Sequence, residues 1–305
     1  MTPLRLGYLY GIGAYLLWGF FPLYFKLLRP TGPLEILAHR IVWSVLFVAL
    51  LLGALRNVGF LRALLRRRAA LAGIVAAAAL IAVNWGTYIY GVSSDRVVET
   101  ALGYFINPLV VVLLGVTVLR EQLRAAQWVA LGIGGSAVAV LAVDYGRLPW
   151  LALTLAFSFA GYGLIKKRLG LPAAEGLFVE SAVLALPALG YLAWLSSQGG
   201  MTFGHVSAGH TALLVLAGAA TAIPLLLFAG AANRLPLTGL GMIQYLAPIL
   251  QLACGVLIFH EPMPQARLAG FALVWLALVV FTADAIRAAR QSRNTSRVPT
   301  PVPTP

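Results

Sequence analysis

The sequence contains little cysteine and little charge. Cys254 is the only cysteine among 305 residues, which excludes a disulfide scaffold and a zinc site built on several thiolates. Charged residues make up 10% of the chain, whereas soluble domains average about 25%. The net charge is +13, yet 61% of the residues are hydrophobic. A chain this apolar is not disordered, and it lacks the large solvated basic face of a nucleic-acid-binding protein.

Motifs of enzymes and of ATP-driven pumps are also missing. No Gly-x-x-x-x-Gly-Lys segment is present to cradle a phosphate, so ATP is not expected to drive the chain directly. His260 and Glu261 are followed by Pro262 and Pro264, which would break a helical metal-binding motif. A membrane enzyme would need acid, base or metal ligands clustered at one interface, and the 9 carboxylates are scattered. We therefore expect a protein that is not an enzyme and that has no cofactor and no metal.

Long apolar segments dominate the rest of the sequence. A membrane-crossing helix needs about 20 mostly apolar residues, with the charged residues left in the loops. Segments such as 70–83 are apolar on all sides, whereas the helices of a soluble protein would show a polar face. The sequence therefore predicts an all-α membrane protein with ten transmembrane helices. The predicted spans are 7–28, 33–53, 70–91, 99–118, 127–143, 148–165, 173–195, 211–232, 237–258 and 267–285.

The distribution of Lys and Arg predicts the orientation of these spans. Most of them fall in loops on the amino-terminal side, including the run Arg66 to Arg68, which suits the anionic head groups of membrane lipids. The positive-inside rule then places both termini in the cytoplasm. Residues 287–305 are basic and end in a proline-rich stretch, so we expect a disordered cytoplasmic tail there.

The chain also contains an internal repeat. A shift of 140 residues pairs Pro108 with Pro248 and Glu121 with Glu261, without a gap over spans 3–5 and 8–10. We therefore predict two five-helix repeats, residues 1–146 and 147–286. Because five is odd, the second repeat would enter the bilayer from the opposite face. Inverted repeats of this kind are typical of secondary transporters.

Two charged residues lie deep inside predicted spans. Arg40 and Glu180 lie about seven residues into spans 2 and 7, each roughly 5 Å from the midplane, and the same shift pairs them. A charge at this depth costs about 2.5–3.5 kcal/mol, so each is expected to face the bundle interior. One interpretation is a static ion pair that joins the two halves, directly or through other groups. Another gives Glu180 a proton or cation site and Arg40 an anionic-substrate contact. In a third, Arg40 lies nearer the surface and its head group snorkels to the interface.

Spans 2 and 3 carry further polar candidates. His39 lies four residues after Glu35 on the same helix face, and histidine titrates near neutral pH, so the pair is suited to relay protons from the outer face. A structural hydrogen bond at the mouth of span 2 is the alternative. On span 3, Asn84 and Trp85 lie deep enough to line a pocket, because aromatic walls with a few amides suit an amphipathic organic molecule.

Prolines recur within the spans. A proline has no N–H, so the carbonyl four residues before it is tolerated in a bilayer only where protein or a water-filled cavity covers it. Polar residues accompany the prolines of spans 4 and 9. We interpret both stripes as a cavity lining with helix kinks, with interhelical packing as the alternative. The residues are Pro22, Pro108, Pro187 and Pro248, with Tyr104 and Asn107 on span 4 and Gln244, Tyr245 and Gln251 on span 9.

Four blocks of sequence are distinctive: YLLWGFFPLYFK at 15–26, EILAHRIVWS at 35–44, LGYFINPL at 102–109 and QYLAP at 244–248. Together they resemble the RarD branch of the EamA drug/metabolite transporter superfamily. The resemblance implies a ten-helix inner-membrane permease of bacteria with two EamA repeats. Members carry the label "chloramphenicol-sensitive protein", which does not establish chloramphenicol as the natural substrate. The chain departs from the family pattern at Ser93–Arg96, and at Ala101, where a serine is expected.

We therefore expect a secondary transporter that moves a small organic solute, a drug or a metabolite, by alternating access between the two repeats. An ion gradient is the expected energy source, with protons as the first candidate ion and Glu180 as the first candidate carrier. A facilitator with no coupling ion is left open. A non-transporting membrane sensor or assembly subunit is the alternative function. The sequence leaves open the substrate, the direction of transport and whether the chain forms a homodimer.

Overall fold

The computed structural model describes residues 2–54, 68–120, 122–169, 173–235 and 237–295. These residues form twelve α-helices and one π-helical turn, Cys254–Ile258, and they contain no β-strand. The helices are α1 (Pro3–Gly19), α2 (Phe21–Leu27), α3 (Pro33–Ala54), α4 (Arg68–Ser93), α5 (Val97–Leu119), α6 (Ala125–Asp144), α7 (Trp150–Leu169), α8 (Ala173–Ser197), α9 (Ala208–Ala232), α10 (Leu237–Ile243), α11 (Leu246–Ala253) and α12 (Gln265–Thr295).

Local sequence explains where α1 and α9 begin. Thr2 precedes α1, and its Oγ1 accepts a hydrogen bond from the Arg5 N–H at 3.4 Å. Pro3 occupies the first turn, where its missing N–H has no helical partner to lose. Ser207 caps α9 in the same way, because its Oγ accepts from the His210 N–H at 3.1 Å.

Most of the helices are long and apolar. Seven of them have the length and composition of membrane spans, namely α3, α4, α5, α6, α8, α9 and α12. The pair α1 and α2 makes an eighth such segment, which is bent by 41°. Two shorter apolar helices remain, Trp150–Lys166 and Leu246–Ile258. The prediction of an all-helical, apolar architecture is confirmed for the described residues. By length and composition, seven or eight helices qualify as spans, against the ten expected.

Three features differ from the predicted spans. Span 1 is bent, and Pro22 lies in the first turn of α2, just after the bend. Span 9 is divided by a turn at Gln244 and Tyr245, and its end is the π-helical turn. Helix α12 continues to Thr295, into the segment 287–305 that the sequence predicts to be a disordered tail, through residues that favour helix, such as alanine and arginine. Residues 296–305 lie outside the described residues, as do Arg66, Arg67 and Glu121.

The chain divides into two compact units. Unit 1 comprises Met1–Asn107 and Trp150–Pro262, and unit 2 comprises Pro108–Pro149 and Met263–Pro305. The boundary after Asn107 falls inside α5, at the proline. Each unit takes helices from both predicted repeats, so the compact units do not coincide with the halves of the sequence.

Unit 1 is held together by close helix pairs. The main ones are α3 with α8, α3 with α9, α4 with α7, and α1 with α9. Glycine permits the closest approaches, since a Cβ added to Gly218 of α9 would lie 2.4 Å from the carbonyl carbon of Trp43 on α3. A Cβ added to Gly103 of α5 would lie 2.8 Å from the Ala152 carbonyl oxygen on α7. Small residues of this kind let the backbones of membrane helices come together.

Unit 2 pairs α6 with α12, and ion pairs join the two helices at both ends of α6. Arg124 Nε donates to Asp284 Oδ2 at 2.7 Å, and Arg267 Nε donates to Asp144 Oδ2 at 2.8 Å. Asp144 and Asp284 are 140 residues apart, which is the shift of the predicted repeat. Asp144 is the last residue of α6 and binds Arg267 near the start of α12, whereas Asp284 lies eleven residues before the end of α12 and binds Arg124 just before the start of α6.

Candidate functional site

Arg40 of α3 is buried in unit 1, with 4% of the residue exposed. Its Nε donates to Thr221 Oγ1 of α9 at 2.8 Å. The guanidinium carbon lies 4.1 Å from the centre of the Trp85 ring on α4, which is a cation–π contact. The guanidinium is therefore held inside the unit, and it does not snorkel to a surface.

Further aromatic rings surround the Arg40 guanidinium. Its carbon lies 5.7 Å from the Phe21 ring and 5.8 Å from the Phe25 ring. The Tyr88 ring lies 5.9 Å from Phe25 and 5.8 Å from Tyr104. We call Phe21, Phe25, Trp85, Tyr88 and Tyr104 the aromatic cage. A desolvated cation–π contact contributes about 2 kcal/mol, whereas a charge in a membrane helix costs about 2.5–3.5 kcal/mol. The cage therefore offsets much of the cost of burying Arg40.

Asn84 of α4 joins three helices beside the cage. Its Nδ2 donates to the Leu155 carbonyl at 3.0 Å and to Ser158 Oγ at 3.1 Å, both on α7. Its Oδ1 accepts from the Tyr104 hydroxyl of α5 at 3.3 Å. The structure therefore brings four of the predicted site residues together, namely Arg40, Asn84, Trp85 and Tyr104.

Glu180 of α8 is 2% exposed and has partners of its own. Its Oε1 accepts from Lys166 Nζ at 2.7 Å, and its Oε2 accepts from the Tyr162 hydroxyl at 2.9 Å. Both partners lie on α7. None of the ion pairs among the described residues includes Arg40, so the direct Arg40–Glu180 ion pair of the static interpretation is not formed. Glu180 is neutralised locally by a lysine that the sequence analysis did not single out.

Glu35 and His39 lie together at one end of α3. Glu35 Oε1 accepts from the N–H groups of Thr202 at 2.8 Å and Phe203 at 3.2 Å. His39 Nε2 lies 3.8 Å from the same oxygen, which is within ion-pair range but too long for a hydrogen bond. The His39 ring stacks on Phe203 at 4.7 Å, beside a groove of about 370 Å³. Glu35 therefore holds the connection between α8 and α9, and the expected hydrogen bond to His39 is not made.

The sequence analysis missed a second histidine at this end of unit 1. His210 Nε2 lies 3.0 Å from Thr31 Oγ1 and 3.1 Å from the Leu28 carbonyl. Thr31 Oγ1 in turn lies 2.6 Å from Thr202 Oγ1, which also donates to Glu35. Thr31 and His210 are 179 residues apart, so no spacing along the chain could reveal their contact. In the part of the chain that the structure describes, no three His, Cys, Asp or Glu side chains are grouped as metal ligands would be.

The prolines have different surroundings in the structure. Pro22 leaves the Trp18 carbonyl without a helical donor, and Gln251 Nε2 of α11 donates to that carbonyl at 3.0 Å. Pro108 and Pro187 lie inside α5 and α8, each of which is continuous in the structure. Pro248 lies in the first turn of α11, just after the turn that divides span 9.

Asn107, Gln244 and Tyr245 are the remaining candidates of spans 4 and 9. Asn107 Oδ1 is buried without a hydrogen-bond partner among the described residues, at the boundary between the units. Gln244 and Tyr245 are half-buried in the turn between α10 and α11. Glu261, which was singled out only as a repeat mate, accepts from the N–H groups of Val97 at 2.6 Å and Val98 at 2.8 Å. A carboxylate is stabilising at such a helix N-terminus.

Asp95 links two connections at the same end of unit 1 as Thr31. Its carboxylate accepts hydrogen bonds from Lys26, and from Arg29 Nη2 at 2.8 Å. These hydrogen bonds, first that of Lys26 and then that of Arg29, lower the pKa of Asp95 below its ordinary value of 3.8. Asp95 therefore stays charged at neutral pH and ties α2 to the connection between α4 and α5.

Comparison with known proteins finds similar chains over most of this length. Residues 5–143 match the EamA-like transporter family. The chain is 55% identical to "Protein RarD" of Streptomyces exfoliatus, over 95% of this chain and 92% of that one. It is 43% identical to "Uncharacterized transporter YojE" of Bacillus subtilis (strain 168) and 37% identical to "Protein RarD" of Escherichia coli (strain K12), in both cases over 94% of this chain and 97% of the relative. One crystal structure, 20% identical, has a similar fold with a TM-score of 0.58, covering 90% of this chain and 96% of that one.

Proposed function

We propose that this chain, which belongs to the RarD branch of the EamA-like transporter family, is a secondary transporter that moves a small organic solute across the bacterial inner membrane. Its relatives are named as RarD proteins and as transporters, and it is a bacterial membrane protein rather than an enzyme. The observation that carries the proposal is the buried polar group formed by Arg40, Asn84 and the aromatic cage. Polar groups inside apolar helices are costly, and they mark the pathways of solutes and ions.

We propose ten spans in two inverted repeats. The seven long helices, the bent pair and the two shorter apolar helices add up to ten segments, which supports this count, although Leu246–Ile258 covers only the second part of the predicted span 237–258. The helix pairs also support the symmetry. The repeat symmetry exchanges span 1 with 6, 2 with 7, 3 with 8, 4 with 9 and 5 with 10. Under this exchange the helix pair α4–α7 becomes α1–α9, and the pairs α3–α8 and α6–α12 are unchanged. All four of these pairs are present in the structure. Such a duplication favours alternating access, because exchanging the conformations of the two repeats opens the pathway to the other side.

The orientation can be tested by accessibility labelling. Single cysteines introduced next to Arg120 and next to Pro262, in a chain whose own Cys254 is replaced by alanine, would flank the repeat mates Glu121 and Glu261. We expect a membrane-impermeant thiol reagent added outside to label only the cysteine near Pro262, because both termini are proposed to be cytoplasmic. Labelling of both positions from the same side would contradict the inverted repeat.

Transport itself can be tested with the purified protein in proteoliposomes. We expect accumulation of one or more compounds from a mixture of small metabolites, measured by mass spectrometry, when a pH gradient is imposed. Empty liposomes are the control. If no solute in the mixture moves in a saturable way, the alternative gains support, namely a sensor or assembly subunit. That alternative also predicts that the double variant Pro108→Ala, Pro248→Ala retains full function in cells.

We propose protons as the coupling ion and Glu180 as the carrier. Glu180 is buried and ion-paired with Lys166, so binding of a proton would remove the charge that holds Lys166 and weaken the contact between α7 and α8, leaving the hydrogen bond from Tyr162. We expect Glu180→Gln to transport without regard to the pH gradient. Asp144→Asn is the matched control, since Asp144 is 8% exposed and paired with Arg267 in unit 2. If Glu180→Gln still transports in full dependence on the pH gradient, Glu180 is not the proton carrier. If transport by the wild type does not depend on the pH gradient, the protein is a facilitator.

A further inference from the structure

We infer that the solute of this transporter is an organic anion with a planar ring, which binds Arg40 through its oxyanion group and the aromatic cage through its ring. The inference rests on the proposed function and specifies the class of substrate for that site. It starts from Arg40, whose charge and hydrogen-bond donors are only partly used by the protein.

The hydrogen bonding of Arg40 leaves the two terminal nitrogens of its guanidinium available to a ligand. A guanidinium has five N–H donors, and its two terminal nitrogens present a planar fork that matches a carboxylate or a phosphate. Among the described residues, the hydrogen bond that Arg40 makes is the one from Nε to Thr221 Oγ1, at 2.8 Å. That bond fixes the orientation of the guanidinium, and it leaves the two terminal nitrogens to donate to an oxyanion.

Arg40 also forms no ion pair among the described residues of unit 1. Three acidic residues of the unit pair with lysine or with another arginine: Glu180 with Lys166, Glu99 with Arg96, and Asp95 with Lys26 and Arg29. Two further carboxylates accept from backbone N–H groups, Glu35 from Thr202 and Glu261 from Val97. A monoanionic solute would neutralise Arg40, whereas a cationic solute would be repelled by it.

The aromatic cage contains a second buried donor. The Tyr88 hydroxyl is buried without a hydrogen-bond partner among the described residues. The Tyr88 ring lies 5.9 Å from the Phe25 ring, which in turn lies 5.8 Å from the guanidinium carbon of Arg40. An unsatisfied hydroxyl next to an incompletely paired guanidinium indicates a missing acceptor, which an oxyanion would supply. Asn84 differs, because it is already bonded to Leu155, Ser158 and Tyr104 and acts to position the Tyr104 ring.

The aromatic cage specifies the rest of the solute. Trp85 lies on the guanidinium at 4.1 Å, and Phe21, Phe25 and Tyr88 continue the apolar wall. Rings of this kind bind a planar ring by stacked or edge-on contacts and offer few polar groups to an aliphatic, strongly hydrated anion. The class that fits both features is a small aromatic carboxylate or a similar ring-bearing oxyanion.

The test is binding to the intact protein purified in detergent. The probes are a panel of phenyl- and indolyl-substituted carboxylic acids, each with its primary amide and its amine, measured by ligand-induced shift of the melting temperature and by calorimetry. We expect the best acid to bind at least roughly tenfold more tightly than its own amide, because a charge-assisted bidentate contact is lost in the amide. The amine is expected not to bind. An amide or an amine that binds as tightly as the best acid would overturn the inference.

Three variants assign the effect to this site. Arg40→Gln is expected to abolish the preference for the acid, and Arg40→Lys to retain part of it. Tyr88→Phe keeps the ring and removes the hydroxyl, so we expect a larger loss of binding for the acid than for the amide, because the hydrogen bond to a carboxylate is charge-assisted. Arg267→Gln, which removes a partly buried arginine of unit 2, is the matched control and should retain the preference. Should Arg40→Gln fail to fold, the acid-to-amide ratio of the wild type and the Tyr88→Phe variant still decide the question.

The test of the anionic solute can fail while the proposed transport function stands, and the reverse is also true. Saturable flux of a neutral or cationic solute in proteoliposomes, without flux of any ring-bearing acid, would sustain the transporter and refute the anion. Binding of acids in the absence of any flux would sustain the site and favour a sensor.

Discussion

Replacing Gly218 with alanine tests how closely α3 and α9 approach each other. A Cβ at Gly218 would lie 2.4 Å from both the carbonyl carbon and the carbonyl oxygen of Trp43. Ordinary contacts of a Cβ begin at 3.4 Å, so the two backbones would have to separate by about 1.0 Å (3.4 − 2.4). The clash is with backbone, which cannot rotate away as a flexible side chain can. Overpacking of this kind costs about 1–3 kcal/mol.

The same displacement would disturb the Arg40 site. Thr221 lies three residues after Gly218 on α9, and Arg40 lies three residues before Trp43 on α3, so the clash is about one turn from their hydrogen bond. A separation of about 1 Å would lengthen the 2.8 Å bond from Arg40 to Thr221 beyond the range of a hydrogen bond. Losing a hydrogen bond to a charged group costs roughly a further 1.5–3 kcal/mol. We therefore expect Gly218→Ala to be both less stable and inactive in transport.

The assay compares the melting temperatures of the wild type and the variants in detergent. After heating, the folded fraction is measured by size-exclusion chromatography with fluorescence detection. Gly190→Ala is the matched control, because a Cβ at Gly190 of α8 meets no atom within 4 Å. Alanine is favoured over glycine in a helix by about 0.8–1.0 kcal/mol, so this control should melt at or above the wild-type temperature. If Gly218→Ala melts as high as Gly190→Ala, the close contact between α3 and α9 is refuted.

Two further predictions follow from polar contacts in unit 1. The lowered pKa of Asp95 means that its contribution to stability is fully present above the ordinary value of 3.8 and is lost as the pH falls through the lower folded value. The melting temperatures of wild type and Asp95→Asn should therefore differ by a constant amount from pH 7 to pH 5 and converge only below pH 4, and convergence already at pH 6 would contradict the assignment. Gln251→Leu should destabilise the protein by about 1–3 kcal/mol, because the Trp18 carbonyl would be buried without a donor; an unchanged melting temperature would show that another group satisfies this carbonyl.

The depth of Arg40 and Glu180 in the sequence predicted that both would be buried, and both are. What they contact was not predictable. The repeat shift pairs the two residues and suggests an ion pair, yet Glu180 binds Lys166 and Tyr162 of α7, and Arg40 binds Thr221 of α9. Thr221 lies 181 residues from Arg40, whereas Lys166 lies only 14 residues from Glu180, on the preceding helix. Helix periodicity defines which side of a helix is apolar without defining which neighbour that side meets, whether the neighbour is near or far along the chain. Only the arrangement of the helices could assign them.

The prolines illustrate the same limit. The sequence showed that Pro22 would free the Trp18 carbonyl and that Gln251 would lie on a polar stripe, but the contact between them spans 233 residues. The repeat shift of 140 residues also makes Pro108 and Pro248 equivalent positions. In the structure they differ, because α5 is continuous through Pro108 whereas span 9 is divided just before Pro248. A missing N–H weakens a helix at a defined place, and tertiary contacts decide whether the helix breaks there.

The sequence by itself determined that the chain lies in a lipid bilayer and that its architecture is helical. The reason is that 61% of its residues are hydrophobic and stand in long runs, and in lipid a helix pairs all the backbone N–H and C=O groups of such a run within the run itself. Its blocks of residues near positions 15–44, 102–109 and 244–248 also sufficed to indicate the EamA family, which the similar proteins confirm. The tertiary structure decided which buried charges are paired and which one, Arg40, is surrounded by rings instead of a carboxylate. Pairing depends on distances of a few ångströms between helices, and these distances are set by side-chain packing across the whole of unit 1.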